Sequence, residues 1–569
     1  MTRLVIDPIT RIEGHLRIEV EASNGAVTDA WSAGTMFRGL ELVLRGRDPR
    51  DAWVFAQRAC GVCTTVHALA SVRAVENALE LTIPANARII RNLIAGIQFV
   101  QDHVIHFYHL HALDWVDVVS ALSADPAKTA DLAESISPYP DSSVSYFRAV
   151  RDRLEAFTAT GQLGPFANGY WGHPAYRLTP EANLLAVAHY LAALEWQRNV
   201  IRIQALLGGK NPHPQTYVVG GMAIGIDPNS PTALTMRRLS EVAQLIDEAR
   251  TFVDQVYLPD VMAVAGFYKD WAGIGAGIGN YMSYGDFPLG DPTDPRTFYL
   301  PRGIVMGRDL GAVLPVDHAK VAESVAHSWY AYSDGDATPH HPWKGETQPA
   351  YAGPPLPYES LEWHDKYSWL KAPRYDGKPM EVGPLARVLV AYASGVKRVR
   401  ELVDLVLKQL KVPPTALFST LGRTAARGVE TLYIAETIPA LLDQLTAAMK
   451  AGDTKIHAGT RWDPAEWPAE SRGVGLYEAP RGALGHWVVI KDGKIDRYQC
   501  VVPTTWNASP RDAEGAPGPY EAALTGTPLA DPARPLEILR TIHSFDPCIA
   551  CAVHVVDARG RPVGTVEVA

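Results

Sequence analysis

The chain has 569 residues, 47% hydrophobic and 20% charged, with 53 Lys and Arg against 62 Asp and Glu for a formal net charge of −9. That composition supports a large core and excludes overall disorder, the acidic balance argues against a nucleic-acid partner, and five cysteines are too few for a disulfide scaffold. No run approaches the roughly 18 uncharged apolar residues of a membrane span, and the charged N-terminus lacks a signal-peptide core and a twin arginine.

Along the chain, GHLRIEVEA and AVTDAWSA alternate apolar and polar residues around Asn24-Gly25, which predicts a β-hairpin. A short helix over Asp51 to Gln57 leads into a loop at Cys60-Gly61-Val62-Cys63. Helical spacing then dominates. Residues 84–112 form one long helix opened by Pro84, 179–207 a second ended by Gly208-Gly209, and 231–264 and 382–450 supply more. Between about 265 and 380 no period lasts, and the Gly-, Pro- and Tyr-rich stretch is read as irregular structure with short strands packed on the helices. A second hairpin turns at Asp492-Gly493, and a short helix near 535–542 precedes Asp546-Pro547-Cys548. The expected class is mostly α with small β elements (α+β): a bundle of long helices with hairpins near both ends. Length suggests three or four domains, but no linker separates them.

Four of the five cysteines form two C-x-x-C pairs, Cys60/Cys63 and Cys548/Cys551, followed closely by His67 and His554. Each such turn puts two sulfurs on one side of a loop, and two turns supply enough thiolates for a soft metal. A structural zinc held by four cysteines is the commoner use of this pattern. Zinc modules, however, keep their pairs close together, and here nearly the whole chain separates them. The Gly-rich run Gly273 to Gly279 lacks the preceding strand and following helix of a nucleotide loop.

The motifs Arg58-Ala-Cys-Gly-Val-Cys-Thr-Thr-Val-His67 and Asp546-Pro-Cys-Ile-Ala-Cys-Ala-Val-His554 resemble those of the catalytic large subunit of nickel–iron hydrogenases, closest to the membrane-bound uptake type. Arg11-Ile-Glu-Gly-His15, Phe37-Arg-Gly-Leu-Glu41, Gly208-Gly-Lys-Asn-Pro-His213, Glu478-Ala-Pro-Arg-Gly482 and Tyr498 to Asn507 agree with it. A related quinone-site subunit of respiratory complex I has lost the cysteines, which this chain keeps. The resemblance implies the hydrogenase large-subunit fold and heterolysis of H2. It implies nickel on Cys60, Cys63, Cys548 and Cys551, with Cys63 and Cys551 bridging to an iron that carries CN and CO.

By the same resemblance, Glu13 carries the proton away, Arg481 stands over the open metal position, and Asp102 and Asp546 hold its guanidinium. Pro480 and Thr504 contact the cyanides, and His67 bonds a thiolate. Glu41, His554 and the backbone carbonyl of Cys500 bind Mg2+. Competing readings are a Glu13 salt bridge with Arg11 or Arg17, a turn role for Asp546, an ordinary strand threonine at 504 and a core histidine at 67. His103, His106, His109 and His111 are read as core hydrogen-bonding groups, because their spacing scatters them around a helix.

With four cysteines on metal, only Cys500 remains, so iron–sulfur clusters are expected on a small subunit only, in an obligate heterodimer. That partner would carry the twin-arginine signal, placing the complex at the membrane on the periplasmic face, with the cytoplasm as the alternative. A membrane cytochrome or quinone-linked acceptor would take the electrons. A maturation endopeptidase would cut after His554, removing residues 555–569 from a single interwoven domain of residues 1–554. An H2-sensing subunit is the alternative function.

Overall fold

The computed structural model describes residues 2–549 apart from 162–163, 167–168, 228 and 356–358; Cys551, His554 and the 555–569 segment lie outside the described residues. At the N-terminus β1 (Thr2–Ile6), β2 (Leu16–Ser23) and β3 (Ala26–Gly34) form an antiparallel sheet in that order. The β2–β3 turn falls where the sequence marks it, with Asn24 and Gly25 at φ 52° and 75°, the left-handed pair that a tight hairpin needs. Strand β1 escapes sequence reading because it is short and largely exposed.

Helices α1 (Leu40–Leu44), α2 (Ala52–Ala56), α3 (Val66–Ala78) and α4 (Ala85–Ile105) follow. The expected single helix over 84–112 is α4 followed by a π-helical turn at His106–His111, which rotates the later histidines relative to the α4 face. Then come α5 (Pro126–Ile136), α6 (Val144–Thr158), α7 (Pro180–Val200), α8 (Arg202–Gly208), α9 (Met236–Phe252) and α10 (Leu258–Phe267). The 179–207 expectation thus divides at Ile201, and a second π turn at Val253–Tyr257 joins α9 to α10.

Among the described residues four two-stranded ladders follow α8, three of them in the irregular middle. These pair β4 (Tyr217–Val218) with β5 (Gly221–Met222), β6 (Tyr281–Ser283) with β9 (Gly303–Val305), β7 (Asp286–Pro288) with β8 (Phe298–Leu300), and β10 (Val321–Ser324) with β11 (Ala372–Tyr375). Residues 382–450 resolve into α11 (Pro384–Ala393), α12 (Lys397–Leu410) and α13 (Thr420–Lys450). The C-terminal sheet is β12 (Glu470–Ala479), β13 (Gly482–Lys491) and β14 (Lys494–Val501), and α14 (Pro503–Asn507), α15 (Pro519–Leu524) and α16 (Leu536–His543) are the last helices among the described residues. Sequence reading missed β12 because Gly473 and Gly475 interrupt its strand pattern.

Those glycines position the site. A Cβ on Gly475 would lie 2.0 Å from the carbonyl oxygen of Ala70, and one on Gly473 2.0 Å from that of Ala74, so α3 lies on β12 backbone to backbone. Helix α4 is buried almost all round, as befits a central helix, and packs along α13, where Gly96 leaves room for Ile438. The two ends of the chain are stitched together. Val27 N donates to Thr527 O at 2.9 Å and Ile549 N to Glu13 O at 2.7 Å, while Ile18 and Val20 share a core cluster with Ile542, Phe545 and Ile549.

This packing has measurable consequences. Gly475→Val forces α3 off β12 and lowers stability by about 1–3 kcal/mol or more, read as a depressed Tm, whereas Gly459→Ala, with open space around it, leaves Tm unchanged. Burial pushes Glu521, whose Oε1 accepts from Ser32 N and Tyr367 Oη, up to about 7. A carboxyl raised on folding contributes most below its unfolded value, and stability falls as pH climbs from about 4.5 to about 7. Glu521→Gln removes that fall, so urea titrations should show its advantage over the parent growing across this window.

Candidate metal centre

Cys60 ends the turn after α2, Cys63 stands just before α3, and Cys548 follows α16. Although 484 residues separate Cys63 from Cys548 in the chain, Cys548 Sγ lies 3.5 Å from Cys60 Sγ and 4.0 Å from Cys63 Sγ, all three side chains being at most 4% exposed. Val62 N and Cys63 N donate to Cys60 Sγ at 3.3 and 3.2 Å, which favours a thiolate there. Three buried sulfurs at these separations, with N–H donors on one and a cation nearby, fit a soft metal. Outside the turn, Arg38 clamps it by donating to the carbonyls of Ala59 and Arg58, both at 2.9 Å. From inside, Gln98 Nε2 donates to Val62 O at 3.2 Å.

Glu13 forms an isolated bridge with Cys548, and its Oε2 accepts from Cys548 Sγ at 3.3 Å. The arginines weighed as its partners are engaged elsewhere: Arg11 pairs with Asp114, and Arg17 with Asp7 and Glu19. Arg481 Nη1 lies 3.4 Å from Asp102 Oδ2 and Nη2 3.0 Å from Asp546 Oδ1, every member buried. Burial pushes both carboxyls up, against the pull of Arg481. Burial also disfavours the Arg481 cation, yet Asp546, Cys548 and Asp102 outweigh it and hold the guanidinium charged. Asp546, at φ 59°, occupies the turn after α16 as well as pairing with Arg481, so its local and site roles coexist.

The Pro480–Gly482 turn that carries Arg481 is held by a group sequence reasoning missed. Arg387 on α11 donates to Ala479 O at 2.8 Å and Pro480 O at 2.7 Å while pairing with Glu430 at 2.5 Å and Glu478 at 2.7 Å. Nothing in its local sequence marks it, since its partners lie on a distant helix and strand. Thr504 sits in the first turn of α14, which corrects the strand-threonine reading: Pro503 starts a helix there, and Thr504 Oγ1 accepts from Cys548 N at 3.1 Å. His67 lines a cavity of about 10 Å³ with Cys63, Arg481, Thr504 and Cys548. Burial lowers it to about 4, so it is neutral at pH 7.

Glu41 Oε1 accepts from Cys500 N at 2.8 Å, and Thr347 Oγ1 donates to Oε2. With Glu323 and Lys371 these residues line a cavity of about 30 Å³. Burial pushes Glu323 up to about 7. Sequence reading missed Glu323, Lys371 and Thr347, which lie in the stretch without periodicity. The four clustered histidines bond within the core. His103 Nε2 is 2.8 Å from Glu430, His106 Nε2 2.6 Å from His543 O, and His109 Nε2 3.2 Å from Tyr190 O. His111 Nδ1 is 3.1 Å from Asp114, and Trp115 Nε1 donates to its Nε2 at 3.0 Å. His111, Asp114 and His543 stand close enough to share an ion, but the Arg11 guanidinium already neutralises Asp114.

Removing Arg387 leaves two buried carboxylates without their cation. Arg387→Leu should therefore destabilise the fold by about 3–5 kcal/mol in chemical denaturation.

Comparison with known proteins agrees with this geometry. A nickel-dependent hydrogenase family model matches residues 38–554, and a HoxL-like model matches residues 3–32. The chain is 52% identical to the uptake hydrogenase large subunit of Rhizobium leguminosarum bv. viciae and 50% identical to the hydrogenase-1 large chain of Escherichia coli (strain K12), in each case over all of this chain and 97% of the relative. It superposes on the Ni-Fe-Se hydrogenase from D. vulgaris Hildenborough with a TM-score of 0.77 at 36% identity, covering 97% of this chain and all of that one. The chain belongs to the nickel-dependent hydrogenases, as a catalytic large subunit that oxidises H2.

Proposed function

We propose that Cys60, Cys63, Cys548 and Cys551 would hold a nickel–iron centre whose iron carries CN and CO. The observation that carries this reading is the meeting of sulfurs from opposite ends of the chain within 4.0 Å. When bound, such a centre supplies the redox-active Lewis acid at which H2 is polarised.

The protein's own groups handle charge and protons. A proton on Cys548 Sγ faces Glu13 Oε2 at 3.3 Å and passes to that carboxylate, which is half-buried and leads toward the outside of the fold. Arg481, fixed between Asp102 and Asp546, keeps a positive charge beside the sulfurs in a site that excludes water. Pro480 and Thr504 would contact the diatomic ligands, and His67 would donate to a thiolate. Glu41, the Cys500 carbonyl and His554 hold Mg2+, a role supported by the cavity that Glu41 and Cys500 line with Glu323.

The large-subunit reading entails a small subunit, and iron–sulfur clusters on it receive the electrons and pass them toward a membrane cytochrome or quinone. The uptake names of the relatives support H2 consumption as the working direction, and the proposed complex is membrane-associated on the periplasmic face. Among the described residues no helix is long and apolar enough to cross a membrane, so attachment would come through partners. Export would follow the small subunit's signal. A maturation endopeptidase would release residues 555–569, leaving 1–554 as one interwoven domain.

In the assembled two-subunit protein, Glu13→Gln should lower H2 oxidation by about 10²- to 10⁴-fold at unchanged nickel content, and Cys548→Ser should lose nickel. Elemental analysis finding zinc with neither nickel nor iron, or infrared spectra without carbon monoxide and cyanide bands, would refute the assignment.

A further inference from the structure

We propose that His486 and Tyr498 set the tautomer of His67, forming a one-way chain of hydrogen bonds that ends as an N–H donor aimed at the sulfurs. This rests on the reading above that the cysteines hold metal as thiolates.

The three side chains are at most 1% exposed. His67 Nδ1 lies 3.0 Å from His486 Nε2, and His486 Nδ1 lies 2.7 Å from Tyr498 Oη. The sheet produces this row. His486 faces Cys500 across β13 and β14, and Tyr498, two residues before Cys500, is the diagonal neighbour on the same face. Helix α3, seated on β12 by Gly473 and Gly475, brings His67 to the end of the row. His67 Nε2 is buried without a hydrogen-bond partner among the described residues, and the ring shares its cavity with Cys63 and Cys548.

With one N–H on each ring, the row of contacts has two arrangements. In the first, Tyr498 O–H donates to His486 Nδ1, His486 Nε2–H donates to His67 Nδ1, and His67 Nε2–H is left to face the sulfurs. In the second every bond is reversed, and a bare imidazole lone pair faces the sulfurs. Thiolates are acceptors, so a donor is stabilised there and a lone pair is repelled. The phenol O–H, 2.7 Å from His486 Nδ1, can supply the first hydrogen of the row. His486 and Tyr498 are therefore positioning residues: they touch no reacting atom but decide which nitrogen of His67 carries the hydrogen, as outer partners do for histidines around metals.

Neutron crystallography of the assembled, metal-loaded enzyme after deuterium exchange tests the polarity. Deuterium is expected on His67 Nε2, His486 Nε2 and Tyr498 Oη; deuterium on His67 Nδ1 would overturn the proposal. Infrared spectra of variants at parental nickel content give a second readout. His486→Gln retains an N–H for His67 and should keep the parental carbon monoxide band. His486→Phe cannot donate, so the more electron-rich thiolate should move that band to lower wavenumber and turnover should fall roughly 10–100-fold. A parental band in His486→Phe would overturn the proposal. A parent enzyme lacking nickel or the band would instead sink the metal reading, and the inference with it.

Discussion

The contact between the two ends of the chain is the constraint on which the rest depends. Cys548 reaches Cys60 because the segment after α16 joins the N-terminal loop through Ile549 N to Glu13 O, and because residues from β2 and from the last helix fill one core cluster. Closing so long a loop costs entropy that grows only logarithmically with its length, and the apolar surface buried around the junction offsets it. The same strand contact that delivers Cys548 also delivers Glu13. The sulfur and the group best placed to take its proton are thus fixed by one backbone interaction.

Around this junction the fold holds charge where water cannot reach. Arg481 lies between Asp102 and Asp546, and Arg387 between Glu430 and Glu478 while gripping the carbonyls just before Arg481. Buried ion pairs add little net stability, but they hold geometry, since losing either partner leaves an uncompensated charge. The centre is accordingly rigid on three sides: the Arg38-clamped cysteine turn, the Arg387-clamped arginine turn, and the terminal junction.

Much of this was legible in the chain. The Asn24-Gly25 and Asp492-Gly493 hairpins and the long helices carry local signals in turn residues and periodicity, and the structure follows them; of the two C-x-x-C turns only Cys60–Cys63 lies wholly among the described residues. Where the structure differs, the signal was absent or overridden. Strand β12 is broken by glycines that exist to admit α3, α4 ends in a π turn that no periodicity marks, and Thr504 starts a helix because Pro503 sets its first turn. Arg387, Glu323 and Lys371 are ordinary charged residues in sequence, distinguished only by what surrounds them.

By itself the sequence determined the chemistry at hand: which sulfurs, carboxylates and guanidinium are present, and in which turns they are displayed, because those features depend on neighbours a few residues away. Only the tertiary structure decided which of them meet. The pairing of Cys60 with Cys548, of Glu13 with that same thiol, of Arg481 with two aspartates, and of His67 with His486 and Tyr498 all join residues remote along the chain. Such contacts follow from strand register and helix packing, which are properties of the whole fold.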